Sequence, residues 1–350
     1  MARAARLVRR KLGRKREPVI LWLQFTLVTG VIVIAGTNLS KYGDVIAEKT
    51  GMGRTWVGII LMASVTSLPE LITGVSSVTV FDLPNIAVGD IFGSCMFNLL
   101  ILAAMDALSG PTPISAKAHQ GHVLAASFGV LMLGIAAISL NAGRNLPAVG
   151  WISPASLAIF LLYAVAMRMI FLFEKKRIAE FVEQKVEIAH ERRISLRQAC
   201  IRYAGNAVLV VGAATYLPYL GDQIAEVTGL GRTFVGSIFI ALTTSLPELV
   251  VSVSALRLDA IDLVFGNLLG SNLFNLAILA LDDVLYSQAP LFTTAAPGHI
   301  VTANAAMAMT AIAVIGLTYR VSKKRFLFAW DSLAIGIIYL YGVAVVYLMR

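Results

Sequence analysis

The sequence predicts an all-α membrane protein of about ten transmembrane helices, arranged as two inverted five-helix repeats. Three observations lead to this fold class. Hydrophobic residues make up 58% of the chain and charged residues only 14%, a balance that a water-soluble domain of this size does not have. Apolar segments long enough to cross a bilayer recur along nearly the whole chain, and one stretch of sequence occurs twice.

The apolar segments have the length of a membrane-spanning helix, which is roughly 20 residues at 1.5 Å each. They are predicted at residues 19–39, 55–79, 84–108, 121–140, 151–173, 199–220, 233–256, 262–281, 299–318 and 327–349. The first of them follows a basic arm, as a signal sequence would. Its apolar run continues beyond the length of a signal h-region, about 7–15 residues, and we therefore interpret it as a span.

The internal repeat relates residues 43–70 to residues 221–248. The two stretches are GDVIAEKTGMGRTWVGIILMASVTSLPE and GDQIAEVTGLGRTFVGSIFIALTTSLPE, identical at 19 of 28 positions. After a one-residue slip, GDIFGSCMFNLLIL from Gly89 matches GNLLGSNLFNLAIL from Gly266. Five predicted spans separate equivalent points, and an odd number of crossings makes the second copy enter the membrane from the opposite face.

Four regions follow from this organisation. They are a basic amino-terminal arm (1–18), the first five-helix repeat (19–173), a charged cytoplasmic loop (174–198) and the second five-helix repeat (199–350). The formal charge of +9 does not indicate nucleic-acid binding, because the basic residues lie beside spans, where they set topology and contact anionic lipid. The two cysteines, Cys95 and Cys200, lie in or at the edge of spans and predict neither a disulfide nor a thiolate metal site.

The motif TSLPE lies deep in an apolar segment of each half, ending at Glu70 and at Glu248. Proline lacks an amide hydrogen and collides with the carbonyl four residues back, so Pro69 and Pro247 should interrupt their helices and free backbone carbonyls. A carboxylate at the centre of a membrane helix costs about 2.5–3.5 kcal/mol on insertion scales. The neighbouring turns contain no Lys or Arg, which leaves a bound cation as the natural counter-charge.

The second motif, GSCMFN or GSNLFN, places a serine and an asparagine four residues apart, on one helix face. These pairs are Ser94 with Asn98 and Ser271 with Asn275. Together the two motifs offer carboxylate, hydroxyl, amide and backbone oxygens without thiolate or imidazole. Such an oxygen-only set suits calcium or sodium rather than zinc or copper.

Structural roles are the alternatives for these polar residues. A single intramembrane Glu or Asn often serves only as an interhelical hydrogen-bonding group, but a symmetric pair beside Pro and Ser favours a cation site. Other acidic residues and two histidines are interpreted as solvated, capping or interfacial groups: Asp44, Glu48, Asp222, Glu226, Asp106, Asp282, Asp283, His119 and His122.

With the paired TSLPE and GSxxFN blocks in two inverted halves, the chain resembles the cation/calcium exchanger superfamily, and within it the sodium/calcium exchangers. The resemblance implies that Glu70 and Glu248 bind calcium and sodium. It further implies that Thr66, Thr244, Ala63 and Ala241 contribute backbone oxygens, that Ser67, Ser245, Ser94 and Ser271 line sodium sites, and that Asn98 and Asn275 complete the ring.

The chain departs from the pattern of these exchangers at two positions of the first half. Asp90 stands where they usually have Asn, and Cys95 stands where the second copy keeps Asn272. Asn275 is also informative, because potassium-dependent relatives have Asp at this position. The resemblance therefore argues against potassium dependence.

The predicted function is secondary antiport of calcium against sodium by alternating access. Proton-coupled cation antiport and a cation channel are the alternatives. No enzymatic motif is recognised, no cofactor is expected, and the predicted partners are calcium ions, sodium ions and the lipid bilayer, with the protein acting as a monomer. The distribution of Lys and Arg among the loops predicts a cell-membrane protein with its amino terminus outside and the 174–198 loop in the cytoplasm.

Overall fold

The computed structural model describes residues 18–50, 65–145, 148–181, 194–325 and 327–349, and these residues contain helices and no β-strand. The first half comprises α1 (Pro18–Lys49), α2 (Leu68–Ser76, continued by a π-helix over Ser77–Phe81), α3 (Pro84–Leu108), α4 (Gly121–Ala142) and α5 (Pro154–Phe181). The second half comprises α6 (Leu196–Thr228), α7 (Gly231–Thr244), α8 (Leu246–Arg257), α9 (Ile261–Leu285), α10 (Gly298–Tyr319) and α11 (Trp330–Leu348).

The prediction of an all-α membrane protein with inverted repeats is confirmed. In the described part of the chain, eight helices are long and apolar enough to cross a bilayer, and the bent pair α7 and α8 makes a ninth. The first part of the span predicted at 55–79 lies outside the described residues, and α2 with its π-helix forms the remainder. Large apolar side chains are exposed on the outer helices, as lipid contact requires; examples are Leu27, Leu161, Val208 and Leu340.

Most helix ends agree with the predicted segments, but α1 and α5 continue past their predicted ends at 39 and 173, and α6 is longer at both ends than the predicted 199–220. It begins with a capping box, in which the Ser195 side chain accepts from the Gln198 backbone and the Gln198 side chain accepts from the Ser195 backbone. It ends at Gly229, whose φ of 69° is the left-handed conformation typical of a helix stop. The polar extension beyond residue 220 carries too little apolar character to be recognised as part of a span.

The centre of the molecule is the pair α3 and α9, which carry the two GSxxFN blocks and contact each other. Buried residues make up 89% of the apolar part of α3 and 78% of that of α9. On one side they join α4, α5, α10 and α11 in the main hydrophobic core. The long helices α1 and α6 pack along each other. Their buried residues belong to two smaller hydrophobic clusters, separate from the main core.

The interpretation of Asp106 and Asp283 as interfacial charges is wrong, because both are almost fully buried. Asp106 accepts the Ile114 amide at 3.0 Å, and Asp283 accepts the Leu291 amide at 2.6 Å. These amides begin two short helices, Ile114–Lys117 and Leu291–Thr294. The sequence shows that an acid ends a span, but not that the following chain folds back over it.

Candidate cation-binding site

The TSLPE motif of the second half interrupts a helix, as predicted. α7 ends at Thr244 and α8 begins at Leu246, with a bend of 44° between them. Ser245, at the break, has φ −90° and ψ 4°, outside the helical region. Pro247 has no amide hydrogen, so the carbonyl of Thr243 loses its helical donor.

The first half repeats this arrangement where it is described. Ser67 precedes α2 with φ −83° and ψ 15°, and Pro69 lies in the first turn. Glu70 and Glu248 both occupy the first turn of the helix that follows the break. The amino terminus of a helix carries a partial positive charge, which stabilises a buried carboxylate in the first turn.

The two motifs meet, because each glutamate accepts a hydrogen bond from the serine of the other half. The Ser67 hydroxyl donates to Glu248 Oε1 at 3.2 Å, and the Ser245 hydroxyl donates to Glu70 Oε1 at 3.1 Å. All four side chains are fully buried. The inverted repeat therefore brings residues 181 and 175 positions apart into one site.

A second set of hydroxyls surrounds these pairs with the same symmetry. Ser271 donates to Glu248 Oε1 at 3.3 Å, and its hydroxyl lies 3.4 Å from that of Thr66. The equivalent hydroxyls of Ser94 and Thr244 lie 3.3 Å apart. The structure thus brings together eight of the predicted residues, namely the two glutamates and six hydroxyl side chains.

The second carboxylate oxygen of each glutamate, Oε2, is buried and has no hydrogen-bond partner among the described residues. None of the described Lys or Arg side chains pairs with Glu70 or Glu248. Uncompensated buried charge is costly. No three His, Cys, Asp or Glu side chains converge on one metal position in the described ranges, so a cation here would need hydroxyl, amide and backbone oxygens beside the carboxylates.

The two asparagines of the GSxxFN blocks differ in their contacts. Asn98 donates to Asn272 Oδ1 at 3.0 Å and keeps its own Oδ1 unpaired. Asn275 is fully buried, and neither atom of its amide has a partner in the described part of the chain. By the symmetry of the repeat, the missing partner of Asn275 is the asparagine that Cys95 replaces.

Asp90 belongs to this site, although the sequence analysis treated it only as a departure from the pattern. Its Oδ1 accepts the Thr244 hydroxyl at 2.8 Å, and its Oδ2 is buried without a partner among the described residues. The sequence could have identified Asp90 as a site residue, because the second copy has the neutral Asn267 at the equivalent position.

The remaining predicted positions are the two alanines. Ala241 is buried in α7 and faces α3, where a side chain at Gly93 would lie 2.7 Å from the Ala241 methyl group and 2.2 Å from the Ser237 carbonyl oxygen. The glycine at position 93 therefore allows the close packing of α3 on α7. Ala63 lies outside the described residues.

Comparison with known proteins gives the same picture. The family model for the sodium/calcium exchanger protein matches residues 20–172 and 203–349. The sodium/calcium exchanger MaX1 of Methanosarcina acetivorans is 25% identical over 286 residues, covering 73% of this chain and 81% of its own. The inner membrane protein YrbG of Escherichia coli is 24% identical over 263 residues, covering 72% of this chain and 76% of its own.

Two solved structures share the fold. One is the sodium-calcium exchanger NCX_Mj, with a TM-score of 0.61 and 21% identity over 93% of this chain and 99% of that chain. The other is the H+/Ca2+ exchanger CAX, with a TM-score of 0.67 and 15% identity over 98% of this chain and 89% of that chain. Because the family model covers both halves, the chain belongs to the sodium/calcium exchanger family and is an integral membrane Ca2+ antiporter rather than an enzyme.

Proposed function

We propose that this protein exchanges calcium for sodium across the cell membrane by alternating access, with Glu70 and Glu248 as the central ligands. The observation that carries the proposal is the pair of buried Oε2 atoms that no described side chain neutralises. The proposed ligand set comprises Glu70, Glu248, Asn98, Asn275, Thr66, Thr244, Ser67, Ser245, Ser94, Ser271, Ala63 and Ala241.

The same electrostatics makes exchange obligatory. A site that returned empty would leave two uncompensated carboxylates in the low-dielectric interior, which costs several kcal/mol per ion, on the order of the penalty for a broken buried ion pair. A site that carries calcium in one direction and sodium in the other avoids this cost. The conformational change is therefore favourable only with ions bound.

The division of the hydrophobic core suggests which parts move. α1 and α6 pack on each other in clusters separate from the main core. Gly36 of α1 lies against the ring of Pro247, where a Cβ would be 2.8 Å from Pro247 Cγ. Movement of this pair along the broken helices would alter access to the glutamates from one side at a time.

Sodium is the proposed coupling ion because the hydroxyl and amide oxygens around the glutamates suit a hard monovalent cation, and because the relative MaX1 carries the name of a sodium/calcium exchanger. Proton coupling is the second candidate. Asp90 and the likeness to the H+/Ca2+ exchanger CAX favour it. The two candidates differ in whether a sodium gradient is needed for calcium uptake.

The proposed arrangement in the membrane follows the sequence prediction. The protein acts as a monomer in the cell membrane, with the amino-terminal arm (1–18) outside and the loop at 174–198 in the cytoplasm. The two transport repeats are residues 19–173 and 199–350. Labelling of a cysteine introduced into the arm by an impermeant reagent in intact cells would test the orientation.

The deciding experiment compares Glu248→Gln with the wild type in proteoliposomes, measuring calcium uptake driven by an outward sodium gradient. Glutamine keeps the size of the side chain but removes the charge, so uptake should fall to background. Asp259→Asn is the matched control, because Asp259 is exposed and its ion pair in the described part of the chain is with Lys117 at 3.6 Å. Wild-type uptake in Glu248→Gln would disprove the proposed site.

A further inference from the structure

Asp282 is a second buried acid that the sequence analysis placed at an interface. It lies in α9, two helical turns beyond Asn275, and is fully buried. Neither of its carboxylate oxygens has a hydrogen-bond partner among the described residues. The interfacial interpretation is wrong here because α2 covers this face of α9, which position along the sequence does not show.

The carboxylate of Asp282 lies directly against Gly74, one turn beyond Glu70 in α2. A Cβ at position 74 would be 2.3 Å from Asp282 Oδ2 and 2.9 Å from Oδ1. The glycine therefore leaves the space that the carboxylate occupies. Immediately afterwards, at Ser77, α2 widens into a π-helix, a distortion frequently found at functional sites.

In the second half, uncharged residues occupy the positions equivalent to Gly74 and Asp90. The repeat aligns Gly74 with Ser252, and Asp90 with Asn267. Asn267 donates to the Ser252 hydroxyl at 3.1 Å and to the Glu248 carbonyl at 3.2 Å, which forms a neutral pair. In the first half Asp90 has no N–H to donate, and glycine has no hydroxyl to accept.

By the symmetry of the repeat, the surroundings of Gly74 therefore hold two acids, Asp90 of the first half and Asp282 of the second, where the surroundings of Ser252 hold the neutral amide of Asn267. The equivalent of Asp282 in the first half is Met105, so this acid has no symmetry partner. Asp282 lies against Gly74, the position equivalent to the serine that Asn267, the equivalent of Asp90, contacts in the second half. Three carboxylate oxygens are left without partners among the described residues, namely Oδ2 of Asp90 and both oxygens of Asp282.

From these contacts we propose that Asp90 and Asp282 bind a sodium ion beside Gly74, at a position additional to the central glutamates. Two like charges buried together are costly, and either a bound cation or a retained proton removes the cost. Calcium prefers six to eight oxygen ligands, and three unpaired carboxylate oxygens favour a monovalent cation instead. The inference rests on the proposed function, since it assumes that sodium enters the protein as a transported ion.

The test measures sodium dependence in Asp282→Asn. Calcium release from loaded proteoliposomes is followed while external sodium is varied, and calcium binding is measured separately without sodium. The sodium concentration for half-maximal exchange should rise about tenfold, equivalent to ~1.4 kcal/mol, and the sodium dependence should become less steep. Calcium affinity without sodium should stay at the wild-type value, because the central glutamates are intact.

Size-exclusion chromatography shows whether Asp282→Asn folds. A second variant tests the same inference if it does not. Gly74→Ser, Asp90→Asn and Asp282→Met together introduce the residues found at the equivalent positions Ser252, Asn267 and Met105. In this triple variant the dependence of calcium release on sodium concentration should become less steep, as in Asp282→Asn. Asp259→Asn again serves as the exposed control.

The outcomes separate this inference from the proposed function. Wild-type protein without sodium-driven calcium release would overturn the proposed function itself. Sodium dependence that is unchanged in Asp282→Asn and in the triple variant would overturn only the additional site. A shifted pH dependence with unchanged sodium dependence would mean that the acids hold a proton, and would also overturn it.

Discussion

At the scale of single residues, Asn275 and Cys95 are the most informative pair. Asn98 reaches Asn272, but Asn275 has only the thiol side chain of Cys95 at the position equivalent to Asn272. A thiol is a weak hydrogen-bonding group and is too short to replace an amide. The departure at Cys95 thus explains why the Asn275 amide is buried without a partner among the described residues.

Replacement of Cys95 by Asn should restore the missing pair. The new amide oxygen would accept from Asn275 and leave Asn275 Oδ1 available, as Asn98 Oδ1 is now. We expect the thermal unfolding temperature to rise, from a gain of about 0.5–1.5 kcal/mol for one hydrogen bond, and calcium to bind more tightly. Cys95→Ser, whose hydroxyl is too short, is the control, and equal behaviour of the two variants would refute the pairing.

At the scale of elements, the close packing of α3 on α7 positions the site. Gly89 and Gly93 of α3 face the π-helix at Gly236–Ile240, and the nearest atoms belong to the backbone of Gly236 and Ser237. Backbone atoms cannot move aside as a flexible side chain does. The hydrogen bond between Asp90 and Thr244 depends on this approach, since the two residues lie on these two helices.

Gly93→Ala should therefore be strongly destabilising. Its methyl group would lie 2.2 Å from the Ser237 carbonyl oxygen, and overpacking of this kind costs typically 1–3 kcal/mol, an order-of-magnitude range. Thermal unfolding of the purified protein in detergent provides the measurement. Gly30→Ala is the matched control, because among the described residues a Cβ at position 30 would meet nothing within 4 Å beyond its chain neighbours and its own helix backbone. Similar unfolding temperatures for the two variants would contradict the packing argument.

At the scale of the whole molecule, the inverted repeat places a symmetric site between two halves that differ in charge. Glu70 and Glu248 repeat each other, whereas the equivalents of Asp90 and Asp282 are the uncharged Asn267 and Met105. The repeated backbone therefore carries an unequal set of acidic residues around the candidate site.

If three sodium ions move against one calcium ion, one net positive charge crosses per cycle. Calcium uptake driven by sodium efflux then moves this charge outward, so an inside-positive potential should accelerate uptake by a driving force of about 2.3 kcal/mol per 100 mV. Valinomycin with set potassium gradients imposes the potential on proteoliposomes, and calcium uptake is recorded with and without sodium. Uptake driven by a pH gradient without sodium would refute sodium coupling.

The sequence by itself determined the fold class and the central acids of the candidate site. Glu70 and Glu248 were recognised because a carboxylate next to proline in an apolar segment is a local signal, and the repeat marked the same signal twice. The helix break at Ser245 followed from the chemistry of proline alone. Such features depend on residues within one or two turns, which a single sequence contains in full.

Only the tertiary structure decided which atoms meet across the halves. The bond from Ser67 to Glu248 joins residues 181 positions apart, and burial of Asp282 against Gly74 depends on which face of α9 meets α2. Neither follows from spacing along the chain, because an acid near the end of a span looks the same whether lipid, water or another helix covers it. The local chemistry therefore identified the acids, while helix packing decided how they are surrounded.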